Sequence, residues 1–196
     1  GWGRIGKRVF DIVVSLILLI ILSPVMLLIA ILIRVYSRIP VLFNDLDDGR
    51  PLVRIGQYGQ PFHYFKFRTM SPGTHHQRYS TLKHLNTRSG PILKLKDDPR
   101  VTPLGRILRR TSLDELPELF LVLAGKMSLV GPRPHEPEEV ARYQPHQRRV
   151  LDIKPGITGL GQVSGRHELS FAEEVRLDSY YIEHWSVLLD LSILLR

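Results

Sequence analysis

Two adjacent acids, Asp114 and Glu115, follow two adjacent arginines, Arg109 and Arg110, in the stretch RRTSLDELPELFLVLAGKMSLV of this 196-residue chain. Ser112 and Glu115 have the S-x-x-E spacing of a capping box, while Pro117 prefers the first turn of a helix that starts slightly later. Either start predicts Asp114 and Glu115 at the N-terminal end of a helix. Free backbone amides and the helix dipole favour anions there, and the arginines just upstream make the position suited to phosphate. An ordinary reading competes, since Asp and Glu are favoured in any first helical turn. Spacing alone leaves both open.

Downstream, Gly131-Pro132-Arg133-Pro134 and Pro155-Gly156-Ile157-Thr158-Gly159 read as rigid turns that fix backbone and an arginine near the end of that apolar helix. The order GITGLG is not G-x-G-x-x-G, and Ala124-Gly125-Lys126 lacks the upstream glycine of a phosphate loop. Both patterns argue against a dinucleotide cofactor and a P-loop ATPase. His75-His76 has no ligand spacing and argues against a zinc site. Cysteine is absent, which excludes disulfides, thiolate metal sites and a cysteine nucleophile.

The elements that must position these residues are partly legible. Leu104, Ile107 and Leu108 recur at helical spacing with Arg106, Arg109 and Arg110 between them, then break at Thr111-Ser112; a second helix is expected from Leu113 through the apolar run to Val130. Val41-Leu42-Phe43 and His63-Tyr64-Phe65-Lys66-Phe67 predict short strands, a small hairpin joined by the turn-rich NDLDDGRPLVRIGQYGQP. Ser170 to Arg196 reads as a helix through Tyr180-Tyr181 followed by the apolar run Trp185 to Leu195, its aromatics suited either to an interface or to a core. Asp190 lies inside that run, where an ionised group is costly without a partner, so a pairing with an arginine is expected. The run is also a hint of a homo-oligomer interface.

The chain carries 27 Lys plus Arg against 19 Asp plus Glu, a formal charge of +8, and its mean hydropathy is near zero. Those values exclude a disordered polyampholyte and a polytopic membrane protein. The mean hides a partition, because Ile12 to Ile33 holds no charged residue. That length suits a transmembrane helix, at roughly 20 residues per span. Ser23-Pro24 at its middle and cations on both flanks (Lys7 and Arg8; Arg34 and Arg38) favour instead a re-entrant helix broken at Ser23-Pro24 with both ends on the cytoplasmic side, the Ser23 hydroxyl bonding a freed carbonyl. A straight span and a cleaved signal peptide are the competing readings. The expected organisation is an anchor over 1–38 and a catalytic-sized domain over 39–196. The basic stretch Arg100, Arg106, Arg109 and Arg110 reads either as a surface for anionic headgroups or as a solvated helix face.

Taken in order, KRVFDIVVSLILLIILSPV, FKFRTM, RRTSLDELPELFLVLAGKMSLVGPRP, KPGITGLGQVSGR, LDSYY and LLDL resemble the bacterial sugar transferases, the monotopic polyprenyl-phosphate phosphoglycosyl transferases, across nearly the whole chain. The resemblance implies an α/β-type fold, mostly helical with a small sheet or hairpin, with amphipathic interfacial helices and a re-entrant anchor at the cytoplasmic face of the bacterial inner membrane. It implies transfer of a sugar-1-phosphate from a UDP-sugar to polyprenyl (undecaprenyl) phosphate, with release of UMP, in glycoconjugate assembly. Asp114 takes the nucleophile's place, Glu115 is assigned to Mg2+ and to the second half-reaction, and the two acids together are the magnesium ligands. Arg68, Arg109, Arg133 and Arg166 fall at phosphate-binding positions, and Asp178 and Asp190 at supporting acidic ones. The segment Asn44 to Leu52 is longer than expected for the smallest members, and the start at Gly-Trp-Gly suggests a trimmed or partial chain. Two other classes compete: a membrane-anchored basic binding or assembly module without catalysis, and a nucleic-acid binder. The latter rests on the +8 charge alone, which the phosphate and headgroup contacts already explain.

Overall fold

The computed structural model describes residues 2–46, 48–78, 80, 84, 86, 90–92, 95, 98–165 and 169–196. Its first element, α1 (Trp2–Leu32), continues into a wider π-helical turn at Ile33–Ser37 and closes on Arg38 with a left-handed φ of 55°. The stretch Gly3–Ser37 is long and apolar enough to cross a membrane; its most apolar 18 residues have a mean hydropathy of 3.3 and only 17% of them are buried. Ile17, Ile20, Ile21, Leu27 and Leu28 are among its exposed side chains. At the expected break the helix is continuous, with Pro24 inside it. Proline has no N–H for the Ile20 carbonyl one turn back, and the Ser23 hydroxyl donates to that carbonyl at 2.9 Å. The repair expected from the sequence is present within an unbroken helix.

The first turns of α1 are tied to the rest of the chain by polar contacts. Arg8 donates to the carbonyls of Val122 (2.6 Å) and Leu123 (2.8 Å), which close α3 (Glu118–Leu123), and Asp11 accepts from the backbone N–H of Leu129 at 3.1 Å. Lys7 lies 2.7 Å from Asp190 on α7 (Val187–Leu194). Asp190 is 1% exposed and also accepts from the Tyr181 hydroxyl at 2.6 Å and the Trp185 indole at 3.3 Å. The expected arginine partner is therefore a lysine from the opposite end of the chain. Lys7→Met should lower the stability of the purified chain in detergent by about 3 kcal/mol, the cost of stripping one partner from a buried pair. A denaturation midpoint equal to the parent's would show that the pair does not hold α1 to α7.

Among the described residues the strands form three two-stranded sheets. β1 (Leu42–Phe43) pairs antiparallel with β4 (Lys66–Phe67), as the sequence predicts, and inside that pair β2 (Val53–Ile55) pairs antiparallel with β3 (Pro61–His63). The Asn44 to Leu52 segment is closed by the Leu52 N–H donating to the Asn44 carbonyl at 2.8 Å. α2 (Pro103–Thr111) starts on Thr102, whose hydroxyl accepts from the Gly105 N–H at 3.0 Å. Gly105 sits so close to the preceding segment that a Cβ there would lie 2.1 Å from the Thr69 carbonyl oxygen.

The apolar run after Leu113 is not one helix. α3 stops at Leu123 because Gly125 takes a left-handed φ of 76°, and the chain re-enters as the fully buried strand β5 (Ser128–Val130). β5 runs parallel to β6 (Gly156–Thr158), and Gly131 and Gly156 allow the backbones to meet: a Cβ on Gly156 would lie 2.1 Å from the Gly131 nitrogen. Short α4 (Pro137–Val140) packs on β2, short α5 (Leu160–Gly165) packs on α6 (Phe171–Glu183), and α6 precedes α7.

One apolar cluster joins Leu19 of α1 with Leu119, Val122, Leu129, Val130, Tyr181 and Ile193; another joins Ile29 and Ile33 at the far end of α1 with Ile39, Phe67 and Leu108. Both ends of the apolar helix thus pack on the same body. The two adjacent tyrosines divide the readings left open: Tyr181 is 1% exposed core, whereas Tyr180 is exposed and stacks on His184 with ring centroids 4.1 Å apart.

Candidate active site

Ser112 forms no capping box. It adopts a left-handed φ of 57° as α2 ends, and its side chain caps nothing; Leu113–Glu115 is a short 3-10 turn that leads to Pro117 at the start of α3. Asp114 and Glu115 therefore sit on a turn between two helices, and side chains rather than a helix N-terminus supply the positive charge. Asp114 is 3% exposed, and its Oδ2 accepts from Lys66 Nζ at 3.0 Å. Glu115 Oε1 accepts from Arg133 Nη1 at 3.1 Å, and Glu115 in turn raises the Arg133 guanidinium above its ordinary value. Lys66 comes from β4 and Arg133 from the Gly-Pro-Arg-Pro turn after β5, so two remote elements grip two adjacent acids.

Arg109, on the last turn of α2, donates from Nε to the Thr69 hydroxyl at 2.9 Å. Burial lowers its guanidinium, and the negative charge of Asp114, with that of Asp98, acts against that shift. Arg109 thus lies within electrostatic reach of Asp114 while its hydrogen bond goes to Thr69. Arg68 is 3% exposed; it packs over the Phe43 ring at 5.2 Å, donates to the Leu42 carbonyl at 3.3 Å and lies 3.6 Å from Asp45, contacts that turn it toward β1 and the loop after it. Arg166 lies outside the described residues. Of the basic stretch, Arg100 is buried in a pair with Asp98 at 2.6 Å, whereas Arg106 and Arg110 are exposed, so only part of it can face headgroups.

Two residues that the sequence reading passed over complete the surroundings. Lys66 is the direct cationic partner of Asp114; its one visible signal was a lone charge inside the aromatic segment HYFKF. Glu118, 2% exposed, accepts a short hydrogen bond from the Tyr64 hydroxyl. Burial, and then the charge of Glu115, pushes the Glu118 carboxyl up to about 8, and burial likewise pushes the Tyr64 phenol well up. Arg54 lies over the Tyr64 ring at 5.2 Å and is 3.2 Å from Glu136.

The two supporting acids separate. Asp190 belongs to the α1–α7 junction, where its partners are Lys7, Tyr181 and Trp185. Asp178 on α6 is 4% exposed beside the α5 start, accepts from the Gly161 backbone, and is pushed up to about 8 by burial and then by Glu174. The native carboxyl keeps its proton up to about pH 8, while the unfolded one releases it near pH 4. Between those values the folded state binds more protons, so this group's contribution to stability falls as pH rises. Asp178→Asn retains an oxygen for the Gly161 amide and removes that slope. Its melting temperature relative to the parent should be higher at about pH 8 than at about pH 5, by a few degrees. A difference independent of pH would contradict the assignment.

Among the described residues no group of three or more His, Asp and Glu is arranged to hold a metal. Magnesium differs from zinc in taking one or two carboxylates and completing its shell with water and substrate phosphate. Asp114 and Glu115 fit that need: one oxygen of each is engaged, by Lys66 and by Arg133, and the other makes no hydrogen bond among the described residues.

A buried carboxylate beside a lysine, a second acid beside an arginine, and Arg109 at the end of α2 make an arrangement chemically suited to polyanionic substrates. The family described as bacterial sugar transferase matches residues 2–196. The chain is 41% identical to the undecaprenyl-phosphate galactose phosphotransferase of Salmonella typhimurium over 99% of its own length and 40% of that protein's. It is 38% identical to the exopolysaccharide production protein ExoY of Sinorhizobium fredii, over 99% of the chain and 84% of the relative, and 38% identical to the UDP-glucose:undecaprenyl-phosphate glucose-1-phosphate transferase of Klebsiella pneumoniae, over 99% and 39%. The chain thus spans about 40% of the Salmonella and Klebsiella relatives and most of ExoY. With the match running from α1 through the Asp114-Glu115 turn to α7, this chain belongs to the bacterial sugar transferase family.

Proposed function

We propose that the chain is the catalytic part of a phosphoglycosyl transferase that moves a sugar-1-phosphate from a UDP-sugar to polyprenyl phosphate, as a membrane step in bacterial polysaccharide or other glycoconjugate assembly. The observation that carries this reading is the buried Asp114 carboxylate, held at 3.0 Å by Lys66 on the turn that also presents Glu115 to Arg133. The Salmonella and Klebsiella relatives, named for sugar phosphate transfer to undecaprenyl phosphate, point the same way.

In the first half-reaction an Asp114 oxygen attacks the sugar-bearing phosphorus. An Asp–phosphosugar bond forms, the phosphorus–oxygen bond to the α-phosphate breaks, and UMP leaves with the bridging oxygen. In the second, an oxygen of polyprenyl phosphate attacks the same phosphorus, the bond to Asp114 breaks, and the carboxylate is regenerated with polyprenyl-diphosphate-sugar as product. Splitting one transfer into two displacements lets donor and acceptor use the same site in turn. Lys66 orients the attacking carboxylate, and Arg133 and Arg109 supply fixed positive charge where the phosphoryl group carries its negative charge. Arg68 and Arg166 are assigned to the same phosphates. Asp114 and Glu115 would hold Mg2+, which when bound neutralises charge on the diphosphate.

The apolar helix supports a site that works at the membrane surface, where a polyprenyl acceptor would be. Exposed aliphatic side chains along α1 need lipid, and both of its ends pack on one body, through Arg8 and Asp11 at the start and Ile29 and Ile33 at the end. That disposition supports a membrane anchor over 1–38 held against the body at both ends, which we assign to the cytoplasmic face of the inner membrane, with 39–196 in the cytoplasm; a re-entrant path would need a bend at Pro24 within the continuous helix. The acceptor's phosphate then lies at the depth of the dyad while its tail stays in lipid.

The test is intact-mass analysis of the purified chain after incubation with magnesium and a panel of UDP-sugars without acceptor. A phosphosugar adduct with matching UMP supports the two-step reading. UMP formed only with polyprenyl phosphate present, with no adduct, would replace it by direct transfer. No UMP under either condition would return the chain to the binding-module reading.

A further inference from the structure

The turn that presents the dyad is poorly held by its own backbone. It follows a left-handed Ser112, and its hydrogen bonds are long: 3.2 Å from the Glu115 N–H to the Ser112 carbonyl and 3.4 Å from the Leu116 N–H to the Leu113 carbonyl. Two side-chain bonds cross to it from alternate residues of one extended segment. Lys66 reaches Asp114, and Tyr64 reaches Glu118, about one helical turn further on. Tyr64 and Glu118 are 4% and 2% exposed, and Tyr64 is fixed on its other side by the Arg54 guanidinium over its ring.

We infer that Glu118 is a positioning residue for this reaction: its bond to Tyr64 is a second rung, parallel to the Lys66–Asp114 rung, and the pair of rungs fixes the line along which Asp114 approaches the donor phosphorus. Lys66–Asp114 and Arg133–Glu115 hold the two acids themselves, and neither reaches the start of α3. The Tyr64–Glu118 bond ties that start to the segment that carries Lys66, and so limits how far the turn can shift between the two. The groups acting on Glu118 are Tyr64, Lys66, Glu115 and Arg133, and burial favours its neutral form. A glutamine is the neutral isostere and keeps an oxygen to accept from the Tyr64 hydroxyl; alanine removes the rung. Glu118 touches no reacting atom in this scheme and acts through the turn. The inference rests on the proposed transfer for its kinetic consequence and on geometry alone for its structural one.

Glu118→Ala, Glu118→Gln, Tyr64→Phe and the double variant Tyr64→Phe/Glu118→Ala are compared in lipid nanodiscs with magnesium and a UDP-sugar the parent uses. Glu118→Ala and Tyr64→Phe should lower kcat about 10- to 100-fold while KM for the donor changes less than about threefold, as expected when orientation rather than binding is lost. Glu118→Gln should recover most of the turnover that Glu118→Ala loses, and the double variant should be no slower than Glu118→Ala, since both changes remove one rung. Amide hydrogen exchange over residues 113–118 should be faster than in the parent for Glu118→Ala and Tyr64→Phe, and parent-like for Glu118→Gln. A glutamine variant as slow as alanine, or losses that multiply in the double variant, would overturn the inference. Parent-like exchange in Glu118→Ala would do so whatever the donor. If the parent releases no UMP from any UDP-sugar, the proposed transfer fails, and the exchange measurement still decides whether the rung holds the turn.

Discussion

Asp114→Asn is expected to abolish the phosphosugar adduct and to lower UMP release by at least about 10³-fold, the scale seen when a covalent nucleophile is removed. The change is small in shape. An asparagine fills the same 3% exposed position and can still turn its amide oxygen to Lys66. What it lacks is a carboxylate lone pair able to form and later release a bond to phosphorus. Since the Lys66 contact and the neighbouring α3 core survive, the variant should fold, bind membranes and elute like the parent, which separates lost chemistry from lost structure. Normal turnover in Asp114→Asn would remove the residue from the nucleophile's place and with it the two-step scheme.

Lys66→Met should be nearly as severe, and for two reasons that can be measured apart. The ammonium is 13% exposed and the carboxylate it holds 4% exposed, so its removal leaves a buried charge without its partner, at a cost of about 3–5 kcal/mol in stability. The remaining carboxylate is also no longer aimed, and a displacement of about 1 Å can cost on the order of 10²-fold in rate. Chemical denaturation should report the first effect and single-turnover UMP release the second. Lys66→Arg keeps the charge but not the compact geometry, and should recover stability better than rate. A Lys66→Met chain with both quantities unchanged would mean that Asp114 is oriented by something other than Lys66.

The parts of this picture that were legible in the sequence are those that local pattern encodes. The uncharged run from Ile12 to Ile33 had to be a long apolar helix, and Ser23 beside Pro24 announced the hydroxyl-to-carbonyl repair. Leu42-Phe43 and Lys66-Phe67 read as strands and pair as such. Local pattern failed where a left-handed residue intervened. Ser112, with φ 57°, replaced the expected capping box by a free-standing turn, and Gly125, with φ 76°, cut one apolar helix into α3 and β5. Hydrophobicity gives no warning of either, since a buried strand and a buried helix are equally apolar.

By itself, then, the sequence determined which chemical groups are present and in what order: an acid pair, a set of arginines, an anchor, and turns rigid enough to hold them. The tertiary structure alone decided the partners. Lys66 and Asp114 are 48 residues apart, Tyr64 and Glu118 54, and Lys7 and Asp190 183. Such pairs form because packing of α1, α3, β4, β5 and α7 around shared apolar clusters brings their backbones together, and a buried charge must then take the counter-charge that this closure delivers. Side-chain periodicity carries no information about which distant segment arrives. That is why Asp190 met a lysine from the first turns of the chain instead of an arginine, and why Asp114 and Glu115 meet Lys66 and Arg133.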